Sequence, residues 1–147
     1  MRRVAQLLFL VTLAAACCAA SEENVEALKA RLPSASTEDR AEISIRIAQI
    51  QLRAADKVYN EGRVSEGQAA VEDIVSYSEK ARDAAIESKQ HLKTVEIDVR
   101  KIAEKLRDIK RTLAFEDQAP VDQAIRRLED ARTALLKEMF SDKKGKK

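Results

Sequence analysis

The longest hydrophobic pattern in the chain runs from Val71 to Leu113. Apolar or small residues recur there at alternating spacings of three and four, and no glycine or proline interrupts them. This pattern predicts one helix over residues 66–115, about 75 Å long at 1.5 Å per residue. Its second half carries the larger aliphatic side chains, and we call this set the heptad seam: Leu92, Val95, Val99, Ile102, Leu106, Ile109 and Leu113.

The first half of the same pattern is weaker. Between Ser78 and Ser88 the positions of the pattern hold only serine and alanine, which permit close helix contact but bury little apolar area. We interpret the whole pattern as one continuous helix because the spacing survives this zone. If the helix bends, residues 78–91 are where we expect the bend.

Two shorter helices are predicted before the long one, over residues 22–32 and 38–61. Pro33 ends the first of them, and Ser36 or Thr37 can cap the amino terminus of the second. The first carries Val25, Leu28 and Leu32 at helical spacing, and the second carries a broad apolar stripe that another element must cover: Ile43, Ile47, Ile50, Ala54 and Val58.

A last helix is predicted over residues 120–140. Pro120 suits a first helical turn, and Asp122 lies near the positive end of the helix dipole. A short connection to the preceding helix implies antiparallel packing. The apolar positions again recur at helical spacing: Val121, Ala124, Leu128, Ala131 and Leu135.

These helices place the chain in the all-α class. Glycine and proline occur only three times and twice in 147 residues, which is typical of long uninterrupted helices. We predict a single helical domain over residues 21–142. Its architecture is that of antiparallel helical hairpins in an elongated bundle, with a long central helix of coiled-coil type.

The predicted turn between the second and third helices has the sequence YNEGRVSEG, residues 59–67. Gly62 can adopt the left-handed conformation that follows a helix end. Ser65 and Gln68 have the spacing of a capping box for the next helix. The local chemistry therefore predicts a helix, a tight corner and a second helix.

The same corner resembles one hairpin of the tetratricopeptide repeat over about residues 47–81. The match rests on Tyr59, Gly62 and Glu66, which correspond to the end of the first helix, the turn and the start of the second. The resemblance implies a helical hairpin of a type that arrays use to bind partners. Gly67 stands where that family usually has alanine, and the pattern does not recur about 34 residues further on.

The amino terminus has the layout of a secretory signal peptide over residues 1–20. Arg2 and Arg3 precede an uncharged apolar run, and small residues follow it. Cleavage between Ala20 and Ser21 would leave a chain without cysteine. The alternative is lipidation at Cys17 as in a bacterial lipoprotein, with retention as an uncleaved anchor as a further alternative.

The charge changes when the signal peptide is removed. Loss of Arg2 and Arg3 from 27 basic residues leaves 25, which equals the 25 acidic residues. Four lysines lie in residues 143–147, which we interpret as a disordered tail able to contact an anionic surface. The body that remains is weakly acidic, which argues against a nucleic-acid-binding protein.

The sequence contains little that predicts catalysis or metal binding. His91 is the only histidine, which rules out a zinc motif with two histidines. It follows Glu87 by four residues, so both could face one metal from a continuous helix, but the sequence supplies no third ligand nearby. There is no glycine-rich phosphate loop. We therefore expect no enzyme and no cofactor.

The combined interpretation is an exported, non-catalytic helical protein of a bacterial-type periplasm or envelope. We expect it to bind an unknown protein partner, or a second copy of itself, through the exposed remainder of the heptad seam. The alternatives are an envelope-anchored lipoprotein modified at Cys17 and a peripheral binder of anionic surfaces through the lysine tail.

Overall fold

A computed structural model describes residues 24–141, and every structural statement below concerns that part of the chain. The signal-peptide processing positions Ala20 and Ser21, the alternative lipidation site Cys17 and the lysine tail lie outside it. The described residues contain five α-helices, two short 3-10 turns and no strand, which confirms the all-α class. The helices are α1 (Val25–Arg31), α2 (Thr37–Asn60), α3 (Val64–Ser88), α4 (Leu92–Thr112) and α5 (Gln118–Ser141), with 3-10 turns at Leu32–Ser34 and Phe115–Asp117.

The prediction of one helix over residues 66–115 is wrong. Lys89 and His91 both have φ of 59°, in the left-handed region, and they separate α3 from α4. The Ser88 hydroxyl donates to the Ala84 carbonyl at 2.8 Å and accepts from the Gln90 amide at 3.2 Å, which supplies a local end to α3. The alternating spacing of three and four residues continues across the break because α3 and α4 both direct their apolar faces into one core.

Left-handed backbone at a residue other than glycine costs roughly 1–2 kcal/mol. Two contacts hold the corner in place. The His91 Nε2 atom lies 3.3 Å from a Glu38 carboxylate oxygen at the start of α2. The Lys89 ammonium pairs with Glu138 near the end of α5. The corner is thus held against the first turn of α2 and the last turn of α5.

The helices α2 to α5 form two antiparallel hairpins that pack side by side. α2 pairs with α3, and α4 pairs with α5, each pair joined by a short connection. Between the hairpins, α2 lies beside α4 and α3 lies beside α5. These neighbours run parallel, as shown by the ion pair of Lys105 with Asp56 at 3.1 Å near the ends of α4 and α2.

The interior of the bundle is made of aliphatic residues and alanine. The two helices α2 and α3 come close together at Gly67. Tyr59 packs on Gly67, and a Cβ at Gly67 would lie only 2.6 Å from the Tyr59 ring. The glycine that the sequence places in the turn is therefore inside α3, where it makes room for the aromatic ring.

The corner between α2 and α3 partly matches its prediction. Gly62 has φ of 74° just past the end of α2, as expected. The predicted cap at Ser65 is wrong, because α3 begins at Val64 with Arg63 in the cap position. The Arg63 guanidinium donates to Glu66 at 2.5 Å and also pairs with Glu61, so an ion-pair cluster stabilises this corner instead of a serine cap.

Ion pairs fasten α5 to both neighbouring helices. Arg127 donates to Glu79 at 2.8 Å and to Glu72 at 3.0 Å, both on α3, and these hydrogen bonds raise the pKa of Arg127. Arg132 donates at 2.7 Å to Glu96, a mostly buried carboxylate on α4. Oppositely charged side chains therefore pair where α5 contacts α3 and where it contacts α4.

Helix α1 lies outside the four-helix bundle. It folds back over the outer face of α2 and forms a separate apolar cluster there, in which Leu28, Ile43 and Ile47 are buried. Val25, Leu32, Ile50 and Tyr77 pack against this cluster. None of the helices between residues 24 and 141 combines the length and hydropathy needed to span a bilayer.

Candidate functional site

The heptad seam is part of the core. Five of its residues are at most 3% exposed, and Leu92 and Leu113 are half-buried against the same core cluster. The prediction of an exposed interaction seam is therefore wrong, because α5 and α2 of the same chain pack against α4. The five buried residues are Val95, Val99, Ile102, Leu106 and Ile109.

The candidate site lies on the side of α2 that faces away from the heptad seam. There the outer face of α2 lies between α4 on one side and α3 on the other. We call this the outer trough. Helix α1 and the 3-10 turn Leu32–Ser34 lie along it without filling it, because an open groove remains on each side of them.

The groove on the α4 side has a volume of about 490 Å³. Its apolar lining residues are mostly buried, and its rim carries charges of both signs. Burial raises the pKa of the Asp98 carboxyl on this rim, and the nearby Lys101 partly offsets that effect. The lining residues are Leu28, Arg31, Glu42, Ile43, Ile45, Arg46, Gln49, Thr94 and Asp98.

The groove on the α3 side has a volume of about 480 Å³. It lies beside the 3-10 turn and reaches the alanine-rich second half of α3, where small side chains leave room. The residues around it are Leu32, Pro33, Arg40, Ser44, Lys80, Asp83, Ala84 and Glu87.

One polar contact ties α1 into the trough. The Lys29 ammonium lies 3.4 Å from an Asp73 carboxylate oxygen, and the Gln51 amide donates to the same oxygen at 2.9 Å. The ammonium also lies 5.6 Å from the centre of the Tyr77 ring, within reach of a cation–π contact. Burial lowers the pKa of Lys29, but the Asp73 carboxylate and Tyr77 outweigh this and raise it overall.

Glu87 and His91 do not share one helix face. The helix break places Glu87 in the last turn of α3 and His91 immediately before α4. His91 instead contacts α2, with Nε2 at 3.3 Å from Glu38 and Nδ1 at 3.8 Å from Glu42. Across residues 24–141, no three histidine, cysteine or acidic side chains come together in a group able to hold a metal ion.

Two large apolar side chains are exposed outside the trough. Phe115 is 87% exposed in the 3-10 turn before α5, and Phe140 is 57% exposed in the last turn of α5. They lie at opposite ends of α5 and line neither groove. Single exposed apolar residues are common on protein surfaces, so neither defines a site.

A comparison of the chain with protein-family models, curated proteins and solved structures found no significant match. The resemblance of residues 47–81 to a tetratricopeptide hairpin therefore stays a prediction. The arguments for a function rest on the geometry of the trough.

The pattern did contain part of this site. The isoleucine stripe of α2 was recognised as a face that needs a cover, and Val25, Leu28 and Leu32 were recognised as one face of a short helix. The packing of the short helix on this stripe was not predicted. The available signal was length, because the helix predicted over residues 22–32 is too short to cover the whole apolar stripe of the helix predicted over residues 38–61.

Proposed function

We propose that the protein is an exported, non-catalytic helical interaction module that binds a helix of a partner protein in the outer trough. The observation that carries this proposal is the pair of open grooves that flank α1 on the outer face of α2, where Ile43 and Ile47 lie buried beneath α1. Grooves of this form accept the apolar face of an amphipathic helix. The chain already contains one such helix at this position.

The composition of the two grooves supports binding over catalysis. No histidine and no cysteine is among the residues that line them. These are the side chains most often used as a general base near neutral pH or as a strong nucleophile. The charges at the rim are of both signs, which suits the polar edge of a protein partner.

The export part of the proposal rests on the signal-peptide pattern of residues 1–20. Mass spectrometry of the protein purified from its native cells tests it. We expect a mature chain that begins at Ser21. A diacylglycerol-modified Cys17 would replace the soluble form with an envelope-anchored one, and an unprocessed chain in the cell interior would overturn export altogether.

The binding part of the proposal is tested with a displayed library of amphipathic helical peptides selected on the purified chain. Thr94 lies on the wall of the α4-side groove and its side chain is exposed, so Thr94→Trp fills that groove without entering the core. Thr133 is the matched control, an exposed threonine on α5 that lines neither groove.

Selected peptides should bind the wild-type chain and the Thr133→Trp variant equally well. Their affinity for the Thr94→Trp variant should fall at least tenfold, because the indole occupies the space that a partner needs. Circular dichroism and urea unfolding establish that both variants are folded. A library that yields no binders, or binders indifferent to Thr94→Trp, would overturn the trough as the binding site.

A further inference from the structure

We propose that the partner helix carries the apolar pattern of α1 and takes the place of α1 in the outer trough. This inference rests on the proposed function and names the partner's chemistry. The partner is an amphipathic helix with aliphatic residues at positions i, i+3 and i+7 and a lysine at i+4. These positions are held by Val25, Leu28 and Lys29 of α1 and by Leu32 of the 3-10 turn that follows it.

The contacts of α1 define this recognition pattern. Leu28 is buried between Ile43 and Ile47, and Val25 and Leu32 pack beside it on the same cluster. Lys29 extends to the Asp73 carboxylate and the Tyr77 ring. A helix with the same pattern in trans would meet every one of these groups.

The hold on α1 is weak compared with the hold on the other helices. α1 has seven residues, of which only Leu28 is buried, and its cluster is separate from the main core. Isolated helices shorter than about 12 residues are marginal in water, so α1 depends on the trough for its helical form.

The connection after α1 allows it to leave without disturbing α2. The 3-10 turn Leu32–Ser34 contains Pro33 and ends with the Ala35 amide donating to the Leu32 carbonyl at 3.3 Å. Arg40 then donates from Nε to the Ala35 carbonyl at 3.1 Å, and the Ser36 hydroxyl caps α2 by accepting from the Asp39 amide. The start of α2 is thus fixed by residues that follow the turn.

The space beside α1 explains how a partner could outcompete it. A segment tethered by a short connection has an effective concentration in the millimolar range. A partner with the same pattern but bulkier flanking side chains would also fill the grooves of about 490 and 480 Å³, which α1 leaves open. That extra burial gives the partner an advantage that α1 lacks.

The test uses a synthetic peptide of residues 21–36, with the sequence SEENVEALKARLPSAS, added to the isotope-labelled full chain. Leu28→Asp in the protein places a charge in the apolar cluster and releases α1 from the trough. NMR titration should show at least tenfold tighter peptide binding to the Leu28→Asp variant than to the wild type. The shifted signals should include Ile43, Ile47 and Tyr77.

Two controls fix the interpretation. A peptide with the same Leu28→Asp change should not bind, and a peptide with Lys29→Ala should bind more weakly than the parent peptide. Hydrogen exchange on the wild-type chain provides a second measurement that needs no variant. The amides of α1 should exchange at least tenfold faster than those in the middle of α3, because α1 opens locally.

Three results would overturn the inference. One is a folded Leu28→Asp variant that shows no peptide binding, and another is a set of shifts confined to surfaces away from the trough. The third is protection of α1 equal to that of α3. If library-selected helices bind the trough but bind no better after Leu28→Asp, the proposed function stands and displacement of α1 is refuted.

Discussion

The heptad seam of α4 and the outer face of α2 both carry regular rows of aliphatic residues, yet they have opposite roles. The seam is covered along its length by α5 and α2 and forms the centre of the bundle. The outer face of α2 is covered by the seven residues of α1, the turn that follows α1 and the Tyr77 ring, and it retains a groove on each side of α1. The stronger apolar pattern therefore indicated the buried core, whereas the grooves left open beside α1 identified the candidate site.

The largest expected effect comes from a cavity in the seam. Leu106 is fully buried, so Leu106→Ala should lower the free energy of unfolding by about 2–5 kcal/mol. Urea unfolding followed by circular dichroism measures this, with an unchanged dependence on urea concentration. A loss below about 1 kcal/mol would mean that the seam is not the core of the folded protein.

A leucine in the outer cluster should cost less than one in the seam. Leu28→Ala removes a similar side chain, but we expect its effect to be limited by the free energy with which α1 docks, because we expect α2 to α5 to stay folded when α1 is released. We expect a loss of about 1–2 kcal/mol in urea unfolding, and faster hydrogen exchange confined to α1. A loss equal to that of Leu106→Ala would make α1 an integral part of the core.

A substitution on the inner face of α2 should make the protein more stable. The Tyr59 hydroxyl is buried without a hydrogen-bond partner, and burial, with the nearby Asp117, raises the pKa of this phenol. Tyr59→Phe keeps the ring on Gly67 and removes the unpaired group, so it should raise the free energy of unfolding by up to about 1 kcal/mol. Tyr77→Phe, at a half-buried ring, is the matched control and should leave stability unchanged. A destabilised Tyr59→Phe variant would show that the hydroxyl has a partner in solution.

The smallest effect is expected at the wall of the outer trough. Burial raises the pKa of Asp98, so the folded state binds its proton more tightly than the unfolded state does. Its contribution to stability is complete below the unfolded pKa and is lost as the pH rises through the folded pKa. Asp98→Asn should therefore raise the free energy of unfolding at pH 7 by no more than about 0.5 kcal/mol and have less effect at pH 3.

Urea unfolding at the two pH values gives the measurement for Asp98→Asn. The matched control is Asp108→Asn, an exposed aspartate on the same helix whose partner is Arg111. A variant at residue 98 that is less stable than the wild type at pH 7 would mean that the ionised carboxylate has a stabilising partner.

The sequence predicted the all-α class and most helix boundaries because apolar spacing and sparse glycine and proline report them directly. The break at Lys89 and His91 lies within residues 78–91, where a bend was expected if the helix was not continuous. Its left-handed backbone was not predicted, since neither residue type normally marks a left-handed turn. Its position depends on contacts with Glu38 and Glu138, which are distant in sequence. The trough was missed for the same reason, because it exists only after α1 has folded back on α2.

The arrangement of hairpins also bears on how the chain folds. Each hairpin closes a connection of only a few residues, Glu61 to Arg63 in one and Leu113 to Asp117 in the other. Short loops of this kind carry a small entropic cost, and local contacts are associated with fast folding. The corner from Lys89 to His91 is the covalent link between the two hairpins. Its contacts, His91 with Glu38 and Lys89 with Glu138, require both hairpins to be in place. We therefore expect the native contacts of that corner to form after each hairpin has closed.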